Sequence, residues 1–287
     1  MRLVTFKHNG DTRIGSLVDS DYVADLTRAE PRLPKTMLGL LAGGAETLAL
    51  ARAVHANLPA AARLDRSTIM LKAPIPRPGK IICIGLNYSD HAAESNQPIP
   101  SFPVVFAKYS NVVIGPGEAI VLPKVTEQVD YEAEFAFVIG RTAKNVTELE
   151  ALDYVAGYVP FNDVSARDYQ LRTSQWTMGK TFDTFGPMGP ALVTADEISD
   201  PHNLNISLSI DGEIMQSSNT RFLIFSVQKL ITDLSAVMTL EPGDVVSTGT
   251  PGGVGAARTP KRWLRAGESI RVEIEKLGVL DNPVVSS

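Results

Sequence analysis

Between residues 73 and 287 the apolar positions come in short runs bounded by Gly, Pro, Asp and Asn: KIICIGL, PVVFAKY, AIVLP, AEFAFVIG, ALVTADEI, NISLSIDGEIM, DVVSTGT and SIRVEIEKLGVLDNPV. Runs of this length and content predict strands. Helical spacing is confined to SDHAAES, to TELEALDYV, where Asn145 and Thr147 offer caps, and to SVQKLITDLSAVM. Ahead of residue 73, RLVTFKHNGDTRIGSLVDSDYVADL reads as short strands around turns at Asn9-Gly10 and Asp19-Ser20. The stretch TMLGLLAGGAETLALARAVHANL reads as a helix that Gly43 and Gly44 weaken and split. The segment LKAPIPRPGK carries three prolines in ten residues and can continue neither a helix nor a central strand, so it marks a boundary near residue 73. The pattern predicts a strand-dominated α+β chain with a small α/β domain at residues 1–72 and a larger domain at 73–287. No internal repeat or low-complexity segment interrupts it.

One run departs from plain core patterning. In DYEAEFAFVIG, alternation sets Asp130, Glu132 and Glu134 on one face of a strand and Tyr131, Ala133, Phe135 and Phe137 on the other. Three neighbouring carboxylates repel one another unless water or a cation screens them. The face is either solvated or a cation site.

Composition narrows the classes of partner. At 287 residues and 44% hydrophobic the chain can bury a full core, and 27 basic against 32 acidic residues give a net charge of -5 with no Lys/Arg block. That balance argues against a nucleic-acid or anionic-membrane surface and in favour of small-molecule partners. The single cysteine, Cys83, sits in an apolar run, so no intramolecular disulfide forms and a reducing compartment fits. No apolar run reaches the ~18 residues of a membrane span, and the first residues lack an apolar leader. The expectation is a soluble cytoplasmic protein.

A second acidic cluster bears on the first. FNDVSARDYQ supplies Asp163 beside Arg167, Asp168 and Gln170 at the end of the strand-like YVAGYVPF. Glu132, Glu134 and Asp163 together would form an oxygen cage suited to a hard cation such as Mg²⁺, although an acidic strand face alone is more often merely solvated. Zinc does not suit: His8, His55, His91 and His202 are scattered without ligand spacing, and no cysteine pair exists. His91 and Glu94 stand three apart, close enough to meet on one helical turn as an oriented base, or to be two exposed polar residues. Lys180, after a glycine in MGKTFDTFGPMGP, is either an oxyanion partner or a solvated lysine. STGTPGGVG could cradle a carboxylate with its backbone or be a plain turn; it lacks the Gly-Lys-Ser/Thr ending of a phosphate loop.

Taken in order, GLNY..H..E, P.VFAK, DYE.E....IG, NDVSARD.Q, GK.FDTF.P.GP and STGTP.GVG strongly resemble the fumarylacetoacetate hydrolase superfamily, over about residues 73 to 285. The resemblance implies that family's mixed β-sandwich roll, a homodimer, a Mg²⁺ or Mn²⁺ ion and chemistry on keto acids. By it, Glu132, Glu134 and Asp163 match the metal ligands, His91 with Glu94 the water-activating dyad, and Lys180 the active-site lysine. Arg167, Gln170 and Thr250 match the substrate contacts. Asp130 matches no ligand position. KYSNVV stands where many members have Lys-Pro-Ser, which leaves Lys108 without an assigned role.

The activity implied is that of a bacterial acylpyruvase-like hydrolase. It would cleave the C-C bond of a 2,4-dioxo acid (an acylpyruvate, fumarylpyruvate or a sugar-derived 2,4-diketo-3-deoxy acid) to pyruvate and a second acid. The same metal half-site would serve oxaloacetate decarboxylation or isomerisation of 2-hydroxyhepta-2,4-diene-1,7-dioate. A non-catalytic metal-dependent binding protein would keep the carboxylates but need neither His91 and Glu94 nor Lys180.

Overall fold

The computed structural model describes residues 1–94 and 98–287, with the backbone alone for residues 91–93. Strands dominate, as the apolar runs predict. An eleven-stranded sheet runs in the order Arg63–Asp65, Tyr22–Asp25, Asp11–Leu17, Arg2–His8, Leu192–Thr194, Val155–Asn162, Ala133–Ile139, Val245–Ser247, Ile81–Gly85, Val104–Lys108, and Met70–Lys72 pairs alongside Arg2–His8. Its pairings are antiparallel except that of Val245–Ser247 with Ile81–Gly85. A five-stranded sheet joins Glu213–Asn219, Asn205–Ile210, Ser269–Ile274, Gly278–Ser286 and Ile120–Leu122. The arrangement is α+β, with few helices and mixed sheets. No helix among the described residues is long and apolar enough to cross a membrane.

The proline-rich segment near residue 73 falls between the strands Met70–Lys72 and Ile81–Gly85. On its leading side, Arg2 and Leu3 pair with Val193 and Leu192, so the first 72 residues extend the same sheet as the rest of the chain. The long helical stretch divides into Met37–Ala42 and Gly44–Ala56, where Gly44 adopts φ +65°, a conformation that costs glycine little. Thr36 caps the first piece by accepting from the N–H of Gly39. The helix Val227–Val237 starts at Ser226, whose hydroxyl accepts from the N–H of Lys229.

Two expectations change. TELEALDYV forms only a 3₁₀ turn at Ala151–Tyr154: Leu149 stands fully in solvent and Val155 already belongs to a strand, so the apolar spacing serves no single buried face. DYEAEFAFVIG is also not one alternating strand. Val129–Asp130 pairs with Ser165–Ala166 in a separate two-stranded sheet, whereas Ala133–Ile139 lies inside the large sheet with all seven residues buried. Both faces of that central strand are covered, which removes any hydrophobic-in, polar-out alternation.

Candidate active site

The central strand Ala133–Ile139 pairs with Val155–Asn162 so that Ala133 faces Asn162 and Glu134 faces Phe161. Antiparallel pairing brings the start of one strand to the end of the other, and Asp163 arrives beside Glu132, donating its N–H to the Glu132 carbonyl at 3.0 Å. The Asn162 side chain accepts from the Glu132 N–H at 3.1 Å and fixes the same corner. Glu132, Glu134 and Asp163 are all buried, and one carboxylate oxygen from each lies within 4.8 Å of the others. The solvated reading of these acids therefore falls.

Two buried lysines enter the cluster. The short helix Thr177–Lys180 presses against Arg167–Gln170 through Gly179, where a Cβ would sit 2.6 Å from the carbonyl oxygen of Ala166. This close approach delivers Lys180, whose ammonium donates to Glu132 Oε2 at 2.6 Å and Asp163 Oδ2 at 2.8 Å. Lys108, at the end of the strand Val104–Lys108, donates to Asp163 Oδ1 at 2.5 Å and to the Val164 carbonyl at 3.0 Å. Arg167 completes the set: its Nε donates to Asp130 Oδ2 at 2.8 Å, its Nη1 to Gln170 Oε1 at 2.9 Å, and its Nη2 lies 2.7 Å from Glu132 Oε1.

Electrostatics follow from this packing. Burial, reinforced by Asp163 and Glu132, pushes Glu134 well above the ordinary carboxylate range. Burial pulls the Lys180 ammonium down, but Asp163 and Glu132 outweigh it and hold it above its ordinary value, so Lys180 is a fixed cation. For Lys108 burial wins over Asp163, and its proton is held less tightly than usual. Asp130, Glu132 and Asp163 are paired with Arg167, Lys180 and Lys108, whereas Glu134 is the acid of the cluster that no ion pair among the described residues engages.

That donor set fits a hard divalent cation. Three carboxylate oxygens gathered at one buried point are the hard donors that Mg²⁺ or Mn²⁺ would take, and Glu132, Glu134 and Asp163 would hold such an ion. Glu134 keeps Oε1 for such an ion while its Oε2 accepts from the Ser247 hydroxyl and, at 3.1 Å, from the Gly249 N–H. No thiolate or imidazole is in the trio, which disfavours zinc.

A cavity of about 500 Å³ opens over the cluster, with Glu132, Glu134, Arg167, Gln170, Lys180 and Thr250 among its lining. Its apolar wall includes Phe106 and Trp176, edge to face at 5.5 Å, with the Lys180 ammonium 4.9 Å from the Phe106 ring. Asp163, whose two oxygens accept from Lys108 and Lys180, is not in the cavity's lining. Glu94 also lines the cavity, at the end of the helix Ser89–Glu94, and both its carboxylate oxygens lie 3.0 Å from the Gly253 N–H that they accept. His91 belongs to the same helix by its backbone, and its side chain lies outside the described residues.

The residues expected as substrate contacts reach the cavity with much of their polarity already committed. Arg167 Nε and Nη1 donate to Asp130 and Gln170, whereas Nη2 lies at ion-pair distance from Glu132 without a well-aligned hydrogen bond. The Thr250 hydroxyl donates to the Ala133 carbonyl at 2.9 Å and accepts from Gln216 Nε2 at 2.8 Å. Gln170 retains its amide N–H groups for a ligand, since only its Oε1 is engaged by Arg167. Sequence reasoning left Lys108 without a role, gave Asp130 none beyond tuning the site, and overlooked Gln216, which ties Ala133 to the 250–251 loop. Lys108 ends an apolar strand and Asp130 stands in the acidic run, so both carried a local signal; Gln216 carried none.

Comparison with known proteins identifies the family and the fold. Residues 80–285 match the family described as fumarylacetoacetate (FAA) hydrolase, C-terminal. The chain is 47% identical to a mitochondrial oxaloacetate tautomerase of Xenopus laevis, over 99% of this chain and 90% of that protein. The solved structure of a fumarylacetoacetate hydrolase from Exiguobacterium antarcticum superposes with a TM-score of 0.87 at 35% identity, covering both chains in full. A maleylpyruvate hydrolase from Sphingobium sp. SYK-6, solved with manganese(II) and pyruvate, superposes with a TM-score of 0.82 at 33% identity, again over both full chains. With the family matched across residues 80–285 and its folds superposing end to end, this chain belongs to the fumarylacetoacetate hydrolase family.

Proposed function

We propose that the protein interconverts the keto and enol forms of a short 2-oxo acid, with oxaloacetate the first candidate, at a Mg²⁺ or Mn²⁺ ion held by Glu132, Glu134 and Asp163. The observation that carries this reading is the Lys180 ammonium, fixed between Glu132 and Asp163 at the floor of the cavity. A charged donor at that point stabilises the negative charge that grows on a substrate oxygen as a neighbouring C–H proton leaves. The cation, when bound, supplies Lewis-acid polarisation of the substrate's carboxylate and carbonyl oxygens. In this reading Glu94, which lines the cavity with its carboxylate accepting the Gly253 N–H, takes the proton from C3. The same carboxylate delivers that proton to the C2 oxygen, so the change is an isomerisation with no water consumed. The choice of oxaloacetate draws support from the name of the Xenopus laevis relative.

Hydrolysis of a 2,4-dioxo acid to pyruvate is the second reading. It is favoured by the position of Glu94 on the same short helix as His91, where a carboxylate can orient an imidazole that activates water, and by the maleylpyruvate hydrolase neighbour. A panel assay decides between them: decay of the oxaloacetate enol, release of CO₂ from oxaloacetate, and cleavage of acylpyruvates, each with and without chelator. Fast enol decay that chelator abolishes and Mg²⁺ or Mn²⁺ restores is the expected result. Faster cleavage of any acylpyruvate would transfer the assignment to the hydrolase. Cation binding without turnover of any of these acids would leave a binding protein. The same reading includes a homodimer formed through residues 73–287, which a monomer by light scattering would overturn. The proposed compartment is a reducing one, on the strength of the single buried Cys83.

A further inference from the structure

Asp130 is fully buried, and both of its carboxylate oxygens accept hydrogen bonds. Oδ1 accepts from the N–H of Tyr131 at 2.8 Å and of Gly255 at 2.7 Å; Oδ2 accepts from the N–H of Ala256 at 2.9 Å and from Arg167 Nε at 2.8 Å. Gly255 is needed for this approach, because a Cβ there would lie 2.6 Å from Oδ1. Asparagine cannot replace the acid without loss. Whichever way its amide turned, an NH₂ group would confront two N–H donors.

Three of the four donors are backbone and pin the loop at Gly255 and Ala256. The fourth is a guanidinium whose Nη2 reaches Glu132 Oε1 at 2.7 Å. One Arg167 charge is thus divided between two carboxylates, of which only Glu132 belongs to the trio. Were Asp130 neutral, that charge would bear on Glu132 alone and compete there with any other cation. We propose that Asp130 is a positioning residue that takes up the charge of Arg167 and so leaves Glu132 available to a divalent cation. The inference rests on the reading of Glu132, Glu134 and Asp163 as cation ligands and extends it to a residue that touches neither ion nor substrate.

The test is Mn²⁺ binding to the full-length protein, followed by the paramagnetic resonance signal of the free ion, with thermal unfolding as a check of fold. Asp130→Asn should weaken Mn²⁺ binding about 10-fold, the lower end of the ~10- to 100-fold range for outer partners of metal ligands. In the double variant Asp130→Asn/Arg167→Gln the affinity should return to within about 3-fold of wild type, since the guanidinium that competes for Glu132 is gone. A merely structural Asp130 would leave the double variant at least as weak as the single one, and that outcome overturns the proposal, as does unchanged affinity in Asp130→Asn. If Asp130→Asn does not fold, Arg167→Gln alone decides: it should bind Mn²⁺ at least as tightly as wild type, and a 10-fold loss refutes charge sharing. A wild-type protein that binds no Mn²⁺ would instead bring down the cation site, and the inference with it.

Discussion

Lys108 offers the sharpest test of how the site is held together. The residue is only 2% exposed, and its ammonium donates to Asp163 Oδ1 and the Val164 carbonyl. Lys108→Met keeps the length and apolar stem of the side chain and removes the charge. Breaking a buried ion pair by deleting one partner costs about 3–5 kcal/mol, because the other charge is left uncompensated. Asp163 retains Lys180 at 2.8 Å, so the cost here should lie at about 3 kcal/mol. Unfolding entropy of about 2.1 cal/mol/K per residue, summed over this chain, turns that loss into a fall in Tm of about 5 °C. A divalent cation at the trio would replace the missing charge, and the variant, freed of a competing ammonium, should bind it more tightly than wild type. Saturation at about 100 times Kd contributes about 2.7 kcal/mol, enough to recover most of the deficit. The assay is thermal unfolding by circular dichroism with and without Mn²⁺. An unchanged Tm in metal-free buffer would refute the argument, and so would equal Mn²⁺-induced rises in variant and wild type.

Other expectations follow from single contacts. In Gly179→Ala the new methyl would meet backbone atoms of Ala166 and Gln170, which cannot swing aside; the displaced Lys180 should lower kcat by about 10²-fold in a protein that still folds, and an unaltered kcat would show that the close approach is unimportant. His202 accepts the Val227 N–H with its Nε2 at 3.0 Å, at the first residue of the helix Val227–Val237, and burial holds the ring below its ordinary 6.5 despite the opposing pull of Asp200. As the pH falls through 6.5 the unfolded chain takes up the proton first. This contribution to stability is therefore complete above that value and lost below it. Urea unfolding at about pH 7.5 and about pH 5.5 should show a drop in wild type that is smaller in His202→Gln, and equal drops would remove His202 from the account.

How much of this was legible beforehand depends on the range over which each feature is encoded. The apolar runs mark the strands because a strand's two faces are written in neighbouring residues, and Gly43-Gly44 marks the break between two helices because backbone freedom is a property of the residue itself. Glu132 and Glu134 could be paired from sequence for the same reason, Asp163 was a candidate third acid from its own cluster, and the ordered motifs assigned the roles of Lys180 and Arg167 by resemblance. Local pattern failed where neighbours far along the chain decide. Asp130 looks like a third member of one acidic face, yet pairing with Ser165 places it in another sheet and turns it toward Arg167. Leu149 and Leu152 have helical spacing, but the chain there is tied to distant strands and turns, with Gly140 donating to Tyr154 and Asn145 to Ser235, and Leu149 points to water. Lys108 reaches Asp163 across 55 residues because two strand ends converge in the large sheet. Periodicity tells which side of an element is buried; which charges then meet in that interior is fixed only when the sheets pack, since removing a carboxylate from water requires a partner and only the folded chain supplies one.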